Sequence, residues 1–261
     1  MSTRIGVVFR PDFRPNTLRE TAAAADAAGV AELWLWEDCF LQGGIAAAAV
    51  ALASSETLTV GLGVLPAPLR NVVTTAMEIA TLDAMFPGRL RVGIGHGIQE
   101  WMRQAGAAVA SPLTLMREYV TALTDLLAGR SVTVDGRYVR LAGVRLDWAP
   151  QQAIPVLIGG TGAKTLALAG EIAGGVILDS QYTVATLVEP LRHVQSGRAD
   201  RDETPFSTVL FLECSADCVA GSARPFFEAG VDTLVFQPAG PQTAMAELIT
   251  AAGDEGRAAR A

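Results

Sequence analysis

Short apolar runs rich in β-branched residues alternate along the chain with longer amphipathic runs rich in alanine and leucine. The short runs have the length of buried strands, and the longer runs have the periodicity of helices that bury one face. This pattern predicts strands at 5–9, 33–36, 58–65, 90–94, 154–158, 175–178, 206–212 and 233–236. It predicts helices at 17–28, about 44–54, about 71–85, 112–129, 163–173, 183–197, 215–229 and 241–252.

Eight strand–helix units in 261 residues leave about 33 residues for each unit, which matches the length of a (β/α)8 barrel. Residues 132–139 depart from the alternation and predict a β-hairpin, since Asp135-Gly136 favours a two-residue turn. No linker-like stretch or run of charge divides the chain. We therefore expect an α/β fold, a single (β/α)8 TIM barrel over residues 1–261, in a compact variant with a short hairpin insertion after the fourth unit.

The competing arrangement is an open, doubly wound sheet. Its dinucleotide-binding version needs G-x-G-x-x-G directly after the first strand, and residues 10–13 are Arg-Pro-Asp-Phe. Residues 159–165, Gly-Gly-Thr-Gly-Ala-Lys-Thr, resemble a nucleotide-binding P-loop, but Ala163 separates the glycine and the lysine that must be adjacent in that motif. The sequence therefore disfavours nucleotide binding of both types.

The amino-acid composition limits the classes of partner that the protein is expected to bind. Twenty basic and 27 acidic residues give a net charge of −7, so no basic surface is available for a phosphate backbone and no nucleic acid partner is expected. The longest apolar stretch, near 45–53, is too short to span a bilayer, and Pro11 interrupts any signal-peptide core, so we expect a cytoplasmic protein with no membrane partner. Cys39, Cys214 and Cys218 lack the spacing of a zinc site, which predicts inert thiols and no metal.

The functional groups of a barrel lie just past the carboxyl ends of its strands. Gly159, Gly160, Thr161 and Gly162 stand between a predicted strand and a helix, so successive backbone N–H groups and the positive end of the helix dipole face one spot. This turn predicts a phosphate site. The alternative is a tight turn that requires glycine and binds nothing.

Glycines alternate at Gly93, Gly95 and Gly97 along the fourth strand and its end, which leaves one side of that strand without side chains. A flat ring could approach the backbone there, so Gly95 and Gly97 are candidate cofactor-binding residues. Close packing inside the barrel mouth is the alternative. His96 stands at the same strand end and is a candidate catalytic residue.

Two adjacent acids, Glu37 and Asp38, follow the second strand and its last residue, Trp36. Paired carboxylates at a barrel mouth can orient a ligand or move protons, and they can also be a helix cap and a solvated neighbour. Glu100 and Trp101 follow the glycine-rich strand and are predicted to wall the same substrate pocket, with a core position as the alternative for the tryptophan.

Two blocks of the sequence resemble the luciferase-like monooxygenase superfamily, whose members use FMN or the deazaflavin coenzyme F420. The first block runs from Gly61-Leu-Gly-Val-Leu-Pro66 through Arg70-Asn71 to residues 80–97, and the second covers 155–178. The resemblance implies a barrel with the flavin or deazaflavin across its carboxyl-terminal mouth and the phosphate at residues 159–162. It also implies a strand bulge behind the ring at Gly63, Val64 and Leu65, which in many members contains a non-prolyl cis peptide.

The chain departs from this family at two places. The family's Asp-His pair after the second strand corresponds to Asp38-Cys39, so the acid is kept and the histidine is not. His96 is the predicted substitute as proton donor, beside Asp38. The helical excursion common in the family after the seventh strand is also missing, since the helix at 215–229 leads directly to the last strand, and this shortness predicts a more open mouth.

The resemblance implies an activity and leaves alternatives. The form of both blocks is similar to the deazaflavin-dependent branch, so we expect an oxidoreductase that transfers hydride between reduced F420 and a small organic substrate. An FMN-dependent monooxygenase is the alternative cofactor assignment. A barrel that binds a flavin or phosphorylated ligand without turnover, and a non-redox barrel acting on a sugar phosphate, are two further alternatives. A homodimer is expected by analogy with the family.

Overall fold

Eight parallel strands form a closed barrel in the computed structural model, which describes residues 3–199, 201, 204–240 and 242–259. In order around the barrel they are β1 (Arg4–Val8), β2 (Glu32–Leu35), β3 (Thr59–Pro66), β4 (Leu90–Gly95), β7 (Val156–Gly159), β8 (Gly175–Leu178), β9 (Ser207–Cys214) and β10 (Thr233–Pro238). β1 pairs with both β2 and β10, which closes the barrel. The predicted (β/α)8 fold is confirmed.

Helices cover the outside of the barrel and bury their apolar faces against the strands. They are α1 (Leu18–Ala27), α2 (Gly44–Ala53), α3 (Val72–Met85), α4 (Gln99–Gln104), α5 (Pro112–Leu127), α6 (Ala163–Ile172), α7 (Val188–Arg198), α8 (Ala223–Glu228) and α9 (Met245–Ala258). Local sequence sets some of these limits: the Asn71 side chain accepts a hydrogen bond from the Val73 N–H and caps α3. None of the helices in the described part of the chain combines the length and the apolar character that crossing a bilayer requires.

The predicted hairpin exists, but its turn lies two residues further along the chain than expected. Its antiparallel strands are β5 (Val132–Asp135) and β6 (Arg140–Val144). Asp135 pairs with Arg140, and the Gly136 N–H donates to the Val139 carbonyl at 2.9 Å, so the turn lies at residues 137–138 and the predicted position at Asp135-Gly136 is wrong. The reason lies in α5: the Glu118 carboxylate accepts hydrogen bonds from the backbone N–H groups of residues 137–139 and holds the turn at this position against the helix.

Three helices of the second half differ from their predicted limits. The helix expected at 183–197 begins at Val188, because the hydroxyls of Thr183 and Thr186 close a separate turn before it. The single helix expected at 215–229 is wrong: a 3-10 turn at Ala216–Cys218 is separated from α8 by Gly221, whose φ of +71° ends the turn. The last helix, expected at 241–252, is α9, and Pro241 lies outside the described residues.

Side chains fill the lower and middle barrel. Trp34 is fully buried there, and a Cβ added to Gly61 would lie 2.3 Å from its ring, so only glycine fits beside it. The Trp34 indole N–H donates to the buried Glu32 carboxylate at 2.8 Å, and Arg91 pairs with the same carboxylate at 2.8 Å. This packing leaves the opposite, carboxyl-terminal mouth as the place for a ligand.

Candidate active site

A cavity of about 510 Å³ opens at the carboxyl ends of the barrel strands. Its lining includes most of the residues selected from the sequence: Trp36, Glu37, Asp38, Gly63, Val64, Gly95, His96, Gly97, Trp101, Gly159, Gly160, Thr161 and Gly162. Strand ends that are far apart in sequence thus meet at one mouth. Within the described ranges, His, Cys, Asp and Glu side chains form no group of three suited to a metal ion.

The turn after β7 has the features of an anion site. The four successive N–H groups of residues 161–164 make no hydrogen bond with any described residue and lie at the N-terminus of the ten-residue helix α6. A Cβ added to Gly162 would meet nothing within 4 Å, whereas one added to Gly160 would lie 2.7 Å from a Thr165 methyl carbon. Gly160 is therefore required by packing, and the backbone at Gly162 stays open to a bound phosphate.

His96 lies behind this turn. Its Nε2 is 3.0 Å from the Thr165 hydroxyl, in the first turn of α6. Burial lowers the pKa of the His96 imidazole, with a smaller opposing effect from the nearby Pro112 carbonyl, so the ring is neutral near pH 7. The hydrogen bond between His96 Nε2 and Thr165 links the end of β4 to the first turn of α6, whereas Nδ1 is buried and has no hydrogen-bond partner among the described residues.

The bulge in β3 projects into the centre of the mouth. The pairing register between β3 and β4 shifts between Leu62 and Leu65, and the Gly63–Val64 peptide is cis, as the resemblance implied. A Cβ added to Gly95 or Gly159 would lie 2.3 or 2.5 Å from a Val64 methyl carbon. Val64 thus occupies the space that these glycines leave.

The same geometry decides between the two interpretations of the alternating glycines. A Cβ added to Gly93 would lie 2.3 Å from Ile177, and the space beside Gly95 belongs to Val64. The strand is therefore not bare, and for both glycines close packing inside the mouth is what the structure shows. Gly97 is different, because its φ of +68° ends the strand in a conformation that favours glycine.

Aromatic rings form one wall of the cavity and position an acid. The Trp36 and Phe211 rings lie 6.1 Å apart between centroids, and Phe211 also contacts Trp34 edge-on. The Trp36 indole N–H donates to Asp38 Oδ2 at 2.8 Å. The second Asp38 oxygen has no hydrogen-bond partner among the described residues, so it is available to a ligand.

Glu37 is held by structural contacts although it borders the cavity. Its carboxylate accepts the Gly44 N–H at 2.7 Å, at the start of α2, and pairs with Arg70, which also pairs with Glu78. Burial works to lower the pKa of Arg70, but the hydrogen bond and charge of Glu37 and the charge of Glu78 outweigh it and raise that pKa. These contacts favour the helix-capping alternative for Glu37 over proton transfer.

Two of the selected residues lie outside the cavity lining. Leu65 is buried in the outer core, where its side chain packs beside Gly44 at the start of α2. Glu100 is exposed and pairs with Arg103 on the short helix α4. Its neighbour Trp101 does line the cavity, because successive residues of a helix point in different directions.

Sequence reasoning missed seven lining residues. They are Pro66, Ile98, Thr165, Ile177, Asp179, Phe211 and Gln237. Asp179 directly follows β8 and Gln237 is the second-last residue of β10, so the strand-end rule was a sufficient signal for both. Phe211 and Ile177 lie within apolar strands, where the sequence does not distinguish a residue below the cavity from any other inward residue.

The lining fits a phosphorylated, ring-bearing cofactor. Unpaired backbone N–H groups at 161–164 lie at one side, Val64 backs the centre, and the Trp36 ring stands on another wall. An anion-binding turn, an apolar surface and an aromatic face are the three features of a site that bind such a ligand.

Comparison with known proteins agrees with this geometry. A profile of the luciferase-like monooxygenase family matches residues 3–252. The 5,10-methylenetetrahydromethanopterin reductase of Methanolobus tindarius is 26% identical over 221 residues, which are 84% of this chain and 67% of that protein. An F420-dependent glucose-6-phosphate dehydrogenase of Microbacterium testaceum is 31% identical over 134 residues, 49% of this chain and 39% of that protein.

A solved structure shares the fold. The coenzyme F420-dependent tetrahydromethanopterin reductase from Methanopyrus kandleri superposes with a TM-score of 0.83 at 18% sequence identity, over 99% of both chains. The match extends along nearly the whole length of both chains, so the two proteins share the same fold.

Proposed function

Since the chain belongs to the luciferase-like monooxygenase family, which matches it over residues 3–252, we propose that it is an oxidoreductase that transfers hydride between reduced coenzyme F420 and a small organic substrate. The observation that carries this proposal is the row of four unpaired N–H groups at residues 161–164, on the edge of a cavity with an aromatic wall. Relatives named as F420-dependent support the choice of cofactor. FMN is the second candidate.

Different residues of the chain would bind the cofactor, exclude water and orient the substrate. When bound, the deazaflavin supplies the hydride donor. Backbone N–H groups at 161–164 hold its phosphate without a basic cluster, and Gly63 and Val64 support its ring. Trp36 excludes water from the opposite wall, and Asp38 orients the substrate through its unpaired oxygen.

A titration tests the choice of cofactor. Purified protein is titrated with F420 and, separately, with FMN, and binding is followed by cofactor fluorescence. We expect saturable binding of F420 that is at least about tenfold tighter than that of FMN. Tight FMN binding without F420 binding would overturn the assignment.

A protein that binds F420 without turning it over is the second candidate function. The residue after Asp38 is Cys39, where the family has a histidine, and Nε2 of His96, the predicted substitute, is bonded to Thr165. Reduced F420 mixed with a panel of enones and imines distinguishes the two functions, since a binder leaves the absorbance of the reduced cofactor unchanged.

We also propose that the chain folds as one domain, that it forms a homodimer and that it is located in the cytoplasm. One domain is supported by the pairing of β1 with β10, which joins the two ends of the chain in one sheet. A homodimer is supported by exposed apolar side chains on α2 and α3, Val50, Met77 and Met85. A cytoplasmic location is supported by three free cysteines, which suit a reducing compartment. Light scattering tests the homodimer, a single unfolding transition tests the one domain, and fractionation of cells tests the location.

A further inference from the structure

The charge of the cavity wall indicates what kind of substrate enters it. Among the described residues that line it there is no lysine or arginine, and Lys164 lies outside the lining. Glu37 is neutralised by Arg70, whereas Asp38 and Asp179 make no ion pair with a described residue. On the premise of the proposed function, we propose that the substrate is a cation, an iminium ion whose carbon accepts the hydride.

An anionic substrate is disfavoured at this wall. A phosphate or carboxylate beside Asp38 would lie next to a half-buried like charge with no basic side chain in the lining to compensate it. The same arrangement offers a cation two favourable interactions. The cation meets the unpaired Asp38 oxygen, and it can stack on Trp36 and Trp101, whose faces attract positive charge.

The proton balance favours the same substrate class. A ketone that accepts hydride also needs a proton at its oxygen. Glu37 is paired with Arg70, His96 Nε2 is bonded to Thr165, and His96 Nδ1 is buried from solvent. An iminium ion needs no proton. Its carbon accepts the hydride of the reduced deazaflavin and the C=N π pair becomes the nitrogen lone pair. The products are a neutral amine, the oxidised deazaflavin and one proton, which leaves the N–H of the reduced ring. The two electrons travel with the hydride and no proton is added to the substrate. The reaction therefore does not require the histidine that the family has at the position of Cys39.

The test measures binding to the protein without cofactor, by quenching of tryptophan fluorescence. The probes are N-methyl-3,4-dihydroisoquinolinium as the iminium, 1-tetralone as its neutral carbonyl analogue and 1-naphthoate as an anion. We expect the iminium to bind at least about tenfold more tightly than either of the others. Asp38→Asn should weaken binding of the iminium at least about tenfold and leave 1-tetralone within about twofold.

The matched control is Asp217→Asn, which removes one exposed acid after β9 that does not line the cavity. It should leave all three affinities unchanged. Binding of 1-tetralone or 1-naphthoate as tightly as the iminium overturns the inference, and so does an equal loss of iminium and tetralone binding in Asp38→Asn. A failure of the separate F420 titration counts against the proposed function and leaves these affinities as they are.

Discussion

Glu37 and Asp38 show how two adjacent, chemically similar residues acquire different roles. The Glu37 side chain meets Arg70 and the N-terminus of α2, and the Asp38 side chain meets the indole of Trp36 and the cavity. The sequence places both acids at the mouth, since both follow a strand. It does not specify which one is neutralised, because Arg70 is 33 residues away from Glu37 and only the closed barrel brings them together.

A substitution at Thr161 tests the proposed phosphate site. Thr161→Glu puts a carboxylate beside the unpaired N–H groups of residues 161–164, where it repels a phosphate and competes for the same donors. We expect F420 affinity to fall at least tenfold, which is ~1.4 kcal/mol. Gln99→Glu is the matched control, since it adds the same charge at the N-terminus of α4 outside the cavity lining. Equal affinities for the two variants would show that the phosphate lies elsewhere.

A substitution at Gly61 tests the packing around the buried Trp34 inside the barrel. Gly61→Ala forces a methyl group into the Trp34 ring, which is fully buried and fixed by Glu32. We expect the free energy of unfolding to fall by about 1–3 kcal/mol, the usual cost of overpacking, measured as a lower urea midpoint. Gly43→Ala is the control, because a Cβ there meets nothing within 4 Å, and it should change stability by less than about 0.5 kcal/mol. A midpoint for Gly61→Ala equal to that of the control would contradict the packing argument.

Elements are predictable from the sequence where local pattern decides them. All eight barrel strands were found, because their apolar runs are buried on both faces and bounded by turns. The helix expected at 215–229 failed because Gly221 interrupts an otherwise helical composition. The predicted position of the hairpin turn is wrong because a carboxylate from another element, Glu118 of α5, holds the turn at residues 137–138. Contacts between elements cannot be derived from a local pattern.

Asp26 links two elements in a way that depends on pH. Its carboxylate, near the end of α1, accepts hydrogen bonds from the Glu56 N–H, the Thr57 N–H and the Thr57 hydroxyl, ahead of β3. Burial alone would raise the pKa of Asp26, but these hydrogen bonds outweigh it and lower the pKa. A carboxyl whose folded pKa is depressed stabilises the fold above its unfolded value, about 4, and loses that contribution as the pH falls through the folded value.

Asp26→Asn should therefore lower stability at pH 7 and make it less sensitive to acid. Unfolding midpoints in urea, measured from pH 7 down to about pH 3, should converge for wild type and variant at the acidic end. Asp135→Asn removes an exposed carboxylate on the hairpin and serves as control. A constant difference between wild type and Asp26→Asn across the whole range would rule out this role.

A stripe of exposed residues on α3, with two methionines in it, has a predictable consequence for the assembly of the whole molecule. Met77, Thr81 and Met85 are spaced four residues apart on the outer face of α3, all exposed, and α2 beside it exposes Val50. If a second copy covers this stripe, Met77→Glu places a charge in the interface and shifts the protein towards monomers in light scattering. Val188→Glu, at an exposed position on α7, should leave the mass unchanged. A dimer that persists in Met77→Glu would place the interface on another face.

The connection from β9 to β10 has a kinetic consequence. Residues 215–232 hold only a 3-10 turn and the six-residue helix α8, so this side of the mouth carries no segment long enough to fold over a bound ligand. We therefore expect turnover that does not wait for this connection to open or close. We expect the transfer of the hydrogen to limit the rate. Deuterium at that position of the reduced cofactor should slow kcat and kcat/KM by the same factor, and added viscogen should change neither.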